Sequence, residues 1–120
     1  VASLPKLYGW RVAEAPEAKR PRVSELRVEG QENPTRITDP TPEFAWQYAH
    51  DEGKAQSAYQ VIVASSRELL DQGIGDVWDS GVVSSSESRV VYDGGALASE
   101  HLYLWRVRVR DERGVWSEEW

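Results

Sequence analysis

An antiparallel β-sandwich, all-β in class, is the fold this sequence predicts, and three observations predict it. From Val23 onward, short runs rich in Val, Ile, Tyr and Trp recur at the spacing of an all-β domain, separated by Gly, Pro, Asp and Ser. One run alternates without a break: Tyr103, Trp105, Val107 and Val109 fall on one face of an extended chain, and Leu102, Leu104, Arg106, Arg108 and Arg110 on the other. No strong helical period separates successive runs, which disfavours parallel strands joined by helices and leaves Greek-key connections as the expectation.

Residues 1–22 read as an N-terminal extension, with Ala13 to Arg22 rich in Pro, Ala and charge like a linker, and the sandwich is expected over 23–120. Strands are predicted at Ser24 to Val28, Glu43 to Tyr48, Ala58 to Ser65, Val77 to Val83, Arg89 to Tyr92 and Leu102 to Arg110. Pro34, Pro40 and Pro42 cannot donate to a ladder, so Gly30 to Pro42 is a loop or irregular edge. Ser65-Ser-Arg-Glu68 has the spacing of a capping box and predicts one short helical turn stopped near Gly73. Asp93-Gly-Gly95 and Asp111-Glu-Arg-Gly114 mark turns on either side of the last long strand. The edge of that strand then needs a partner. Leu7 to Ala13, where Tyr8, Trp10 and Val12 alternate with Gly9, Arg11 and Ala13, is expected to fill it, or to reach the same edge of a second molecule and form a homodimer.

Six Trp among 120 residues, with 40% hydrophobic and 28% charged residues, describe one folded domain with a real core. A formal charge of -6 repels phosphate backbones and anionic membranes, so neither nucleic acid nor membrane is an expected partner. The absence of Cys excludes a disulfide scaffold and a thiolate metal site and fits either redox compartment. No stretch approaches eighteen consecutive apolar residues, and no secretory leader pattern opens the chain. Because Met is absent even at position 1, a processed chain or a piece of a larger protein is expected.

Residues that could carry chemistry are few. Glycoside hydrolysis needs two carboxyl groups about 5 to 10 Å apart across a cleft. Of the tight acidic pairs, Asp76 and Asp79 would point to opposite faces of a strand, and Glu118 and Glu119 lie at the chain's end. His50 and His101 stand apart, with no spacing for a metal site, and Ser84-Ser-Ser-Glu-Ser88 lacks any nucleophile signature. Gly73-Ile-Gly75 has Trp78 where a dinucleotide fingerprint needs its third glycine. No catalytic, cofactor or metal residue is therefore assigned. Arg106, Arg108, Arg110 and Arg113 form a basic stripe, expected to pair with acids across the sheet. Trp10, Trp116 and Trp120 lie outside the core strands and are the candidate contacts to a glycan or a neighbouring domain.

Trp46, Tyr59, Leu97 and Tyr103 follow the landmarks of the fibronectin type III pattern, the last two with the six-residue spacing of a tyrosine corner. The segments Pro42-Glu-Phe-Ala-Trp46, Gln56 to Ala64, Val77-Trp-Asp-Ser-Gly81, Tyr92 to Leu97 and Tyr103-Leu-Trp-Arg-Val-Arg-Val109 occur in the order found in one group. Over about residues 23 to 120 the chain resembles the N-terminal, fibronectin type III-like sandwich of the bacterial α-L-rhamnosidases. That resemblance implies an accessory module whose partners are the other domains of its parent chain, with hydrolysis performed by carboxylates in a separate helical barrel. It also implies a final strand continuing past Trp116-Ser, so here the last strand is expected to be cut short. The alternative expectation is an independent carbohydrate- or protein-binding module using the three tryptophans.

Overall fold

Two antiparallel sheets face each other across a core of aromatic and branched side chains. In the computed structural model, which describes residues 7–10, 20–98 and 100–120, the elements in chain order are β1 (Arg22–Val28), β2 (Glu43–Ala49), β3 (Gln56–Ala64), α1 (Arg67–Asp71), β4 (Trp78–Asp79), β5 (Val83–Ser84), β6 (Arg89–Val91) and β7 (Leu104–Asp111). One sheet has the order β1-β2-β6. In the other, β3 is central: β7 pairs along its whole length, and β4 and β5 lie end to end on its opposite side.

The central position explains the composition of β3. Tyr59, Val61 and Val63 face the space between the sheets, while Ile62 and Ala64 face outward beneath Leu70 of α1, Leu104 and Trp120. A strand covered on both faces has no polar side to show, hence the unbroken apolar run from Val61 to Ala64. The main core adds Phe44, Trp46, Tyr92, Val107 and Val109, with Leu97 and Tyr103 packed against it. Trp46 and Tyr59 meet edge to face at 5.2 Å. The Tyr103 hydroxyl accepts the Ala98 N–H at 2.7 Å, so the ring anchors the connection between β6 and β7 as a tyrosine corner does.

Three local expectations are corrected. The strand predicted over Val77 to Val83 is interrupted at Ser80-Gly81, where Gly81 takes φ +68°. Ser80 N–H donates to Val61 O at 2.9 Å, and the Ser80 hydroxyl accepts the Val61 N–H at 2.8 Å, so a side chain stands in for a ladder carbonyl. The helix is capped by Ser66, whose hydroxyl accepts the Leu69 N–H, and not by Ser65, which is engaged by Asp76. At its far end Gly73, at φ +74°, donates to Leu70 O while Ile74 donates to Leu69 O, both at 2.9 Å, the paired bonds of a Schellman motif.

The third correction concerns the outer edge of β7. Ser117 N–H donates to Val109 O at 2.8 Å, Asp111 N–H to Val115 O at 2.9 Å, and Arg110 bridges to Trp116. The segment after the turn thus pairs with the upper half of β7, where Leu7 to Ala13 was expected. Leu7, Tyr8 and Trp10 are 91, 71 and 90% exposed, and residues 11–13 lie outside the described residues.

The register gives the sandwich two unlike ends. One gathers the loops 50–55 and 85–88 and the turn after β7; the other gathers residues 29–42, α1 with its flanks, residues 92–98 and 100–103, and Trp120.

Candidate interaction surface

The turn from Asp111 to Gly114 reverses the chain so that Trp116 lands opposite Arg110. With a two-residue period, Glu118 and Trp120 then project from the same face as Arg108 and Arg106. The result is an interleaved stack. The Arg108 guanidinium lies 4.2 Å from the Trp116 ring and 4.9 Å from the Trp120 ring, Arg110 lies 5.5 Å from Trp116, and Arg106 lies 5.4 Å from Trp120. Each contact is of the cation–π kind.

The same arginines are held from below by β3 and its surroundings. Arg108 donates twice to Gln60 Oε1, at 3.0 and 2.7 Å, Arg110 donates to the Ser57 hydroxyl at 3.3 Å, and Arg106 donates to Leu70 O and pairs with Glu118 at 3.2 Å. Of the four arginines expected to pair with acids, Arg106 and Arg113 do so, whereas Arg108 and Arg110 use neutral acceptors and rings. Burial pushes the Arg108 guanidinium below its usual value against the opposing pull of Asp79 and Glu118. An arginine remains charged regardless.

At the far end of β7 a second cluster ties the loop after β2 to the turn before Trp116. His50 and Asp111 have fully buried side chains 3.1 Å apart, and Arg113 reaches Asp111 at 2.8 Å and Glu52 at 3.3 Å. Glu52 N–H donates to His50 Nδ1 at 3.0 Å, and His50 Nε2 lies 3.1 Å from Asp111 Oδ2 and 2.9 Å from an Arg113 guanidinium nitrogen. Burial pushes the Asp111 carboxyl up, but hydrogen bonds from the Arg113 side chain and from the backbone N–H groups of Val115 and Arg113 outweigh it and hold the group below its ordinary range.

Three of the four carboxylates in those acidic pairs hold structure. Asp76 binds the backbone and hydroxyl of Ser65, and Asp79 accepts from Gln60 Nε2 and from Gly81 N–H. Glu118, one wall of a shallow cleft with Pro21, Arg22, Val23 and Ser117, accepts from Trp120 Nε1 as well as from Arg106. Among the described residues no group of three His, Asp or Glu is placed to hold a metal ion. Trp116 and Trp120 are half-buried, while Trp10 is exposed on the N-terminal extension, far from that stack in sequence. The stack itself escaped the sequence reading, which treated arginines and tryptophans separately; their shared parity about a four-residue turn was the available signal.

With the geometry in place, comparison with known proteins assigns the chain. Residues 23–120 match the family model described as the Rha78A-like, N-terminal immunoglobulin domain. The chain belongs to that family. This Rha78A-like domain is 43% identical over 91 residues to an α-L-rhamnosidase of Formosa agariphila, covering 72% of the chain and 10% of that protein. It is 42% identical over 99 residues to an α-L-rhamnosidase of Streptomyces avermitilis, covering 81% of the chain and 9% of that protein. Among solved structures, the α-L-rhamnosidase from Dictyoglumus thermophilum superposes with a TM-score of 0.78 at 38% identity, over 82% of this chain and 11% of that one. The Streptomyces avermitilis enzyme complexed with L-rhamnose gives 0.75 at 42% identity, over 82% and 10%. The chain thus spans about a tenth of the length of the relatives it matches. The Rha78A-like sandwich also bears out the resemblance drawn from its Trp-Asp-Ser-Gly and Tyr-Leu-Trp-Arg-Val segments.

Proposed function

We propose that this domain is a non-catalytic accessory module of an α-L-rhamnosidase, supporting or positioning the catalytic domain, with residues 1–22 as its leading extension. The observation that carries the reading is the employment of the carboxylates. Asp76, Asp79 and Glu118 each hold a turn, a strand or an arginine, structural tasks unlike those of the carboxyl pair across a sugar-sized cleft that a glycosidase requires. The test is direct: the purified chain is expected to leave an aryl α-L-rhamnoside unhydrolysed, and turnover that disappears in Asp79→Asn overturns the reading.

A second reading, a carbohydrate- or protein-binding module, is favoured by Trp10 alone, which stands 90% exposed beside Tyr8 and Leu7. For Trp116 and Trp120, guanidinium groups already stack against the rings and would compete with a sugar for them. Retardation of the chain in a rhamnose-containing polysaccharide gel, abolished by Trp10→Ala, would favour this reading. Dimerisation through Leu7 to Ala13 is read out by light scattering with residues 1–13 deleted.

A further inference from the structure

Four large apolar side chains of the sandwich itself are exposed, and three lie at one end: Ile74 just past α1, Val91 closing β6 and Leu102 ahead of β7, with Val82 elsewhere on an edge. Trp120 arrives at this same end. Its Cβ approaches Gly73 so closely that a Cβ there would lie 3.1 Å away, and its ring joins Ile62, Ala64, Leu69, Leu70 and Leu104. The opposite end is built differently, from the Arg22–Asp51 and Arg113–Glu52 pairs and the buried His50–Asp111 contact.

We propose that the α1 end is the docking face for the domain that follows this one in the longer polypeptide, with Ile74 and Leu102 as its apolar contacts. The proposal rests on the accessory-module reading. The occupant is argued from two observations. The segments matched make up only 10 and 9% of two relatives, and the path of residues 115–120 delivers any following segment to the rim of this end. A domain tethered there by a short connection meets the face at high effective concentration, so a modest apolar contact suffices to hold it. Isolated exposed apolar residues are ordinary on a soluble surface; three of them at the exit point of the chain are not explained that way. An interdomain contact of about 600 to 1,500 Å² also recruits the polar loops around them, here residues 29–42, 92–98 and 100–103.

Amide hydrogen exchange compared between the 120-residue chain and the longer polypeptide tests this. Amides from Gln72 to Gly75 and around Leu102 are expected to exchange about tenfold more slowly in the longer protein. Ile74→Asp combined with Leu102→Asp is expected to abolish that slowing, and Val82→Asp to leave it; since all three side chains are exposed, an unchanged tryptophan spectrum certifies the fold of each variant. Slowing on another face, or slowing that survives the double variant, overturns the docking face and leaves the accessory reading intact. No slowing anywhere on the domain overturns both, because a module that touches no neighbour supports nothing.

Discussion

Gln56 ties separate segments of the fold together through one buried side chain. It is 6% exposed, accepts the Trp46 indole N–H at 3.2 Å, and donates to Ser85 O and Glu87 O at 3.0 and 2.7 Å, so it joins β2 to the crossing between the sheets. Replacing it by Leu leaves a buried indole donor and two carbonyls without partners, and unsatisfied buried groups cost about 1 to 3 kcal/mol each. Gln56→Leu is therefore expected to lower stability by about 2 to 4 kcal/mol in urea melts, although Leu fills a similar volume. Asp111 makes the second prediction at this scale. Its folded value lies below the ordinary 3.8 of the unfolded chain, so the stabilisation it provides is complete above that value and is lost as pH falls through the folded one. The urea midpoint is expected to drop as pH falls below about 4, and Asp111→Asn to flatten that acid limb while lowering the neutral plateau. Asp76, held low chiefly by the Ser65 hydroxyl, leaves a residual slope of the same sign.

Among the elements, the interrupted edge strand and the arginine–tryptophan stack carry the expectations. Ser80→Ala removes the acceptor of Val61 N–H in the middle of β3 and is expected to cost about 1 to 3 kcal/mol, with faster exchange at Val61 as the local readout. In the stack, a double-mutant cycle of Arg108→Ala and Trp116→Ala is expected to return a coupling of about 0.5 to 2 kcal/mol, the range from exposed to desolvated cation–π pairs. These elements also separate what the sequence reveals from what it hides. The alternation from Tyr103 to Val109 is legible because a sheet facing one core writes its period of two directly into the residues. The break at Ser80 is not, since it depends on which backbone N–H of β3 lies across from that hydroxyl. Ser65 and Ser66 both suit a helix cap, and Ser66 takes the role while Asp76, eleven residues beyond Ser65, engages Ser65. The N-terminal extension shows the limit of periodicity: Tyr8 and Trp10 alternate like a strand, yet the edge they suit is met at Val109 and Asp111 by Ser117 and Val115.

At the scale of the molecule, one aromatic cluster joins both sheets, so damage to it is expected to be global. Trp46→Ala should lose about 3 to 5 kcal/mol, a large part of the 5 to 15 kcal/mol typical of a whole domain, and an unchanged urea midpoint would mean the phase of β2 is wrong. The central strand has another consequence, in the time before the fold exists. β3 lies near the middle of the chain, yet its full-length partner is β7, and about forty residues separate Ala64 from Leu104. A ribosome adding about 5 to 20 residues per second needs about 2 to 8 s to cross that interval. For those seconds the stretch Val61-Ile-Val-Ala64 has emerged or is emerging without its mate, an apolar strand of high β-propensity whose β7 edge stands uncovered. Nascent chains stalled between residues 64 and 104 are thus expected to be the form of this protein most avidly held by chaperones, and chains released beyond residue 111 to be let go.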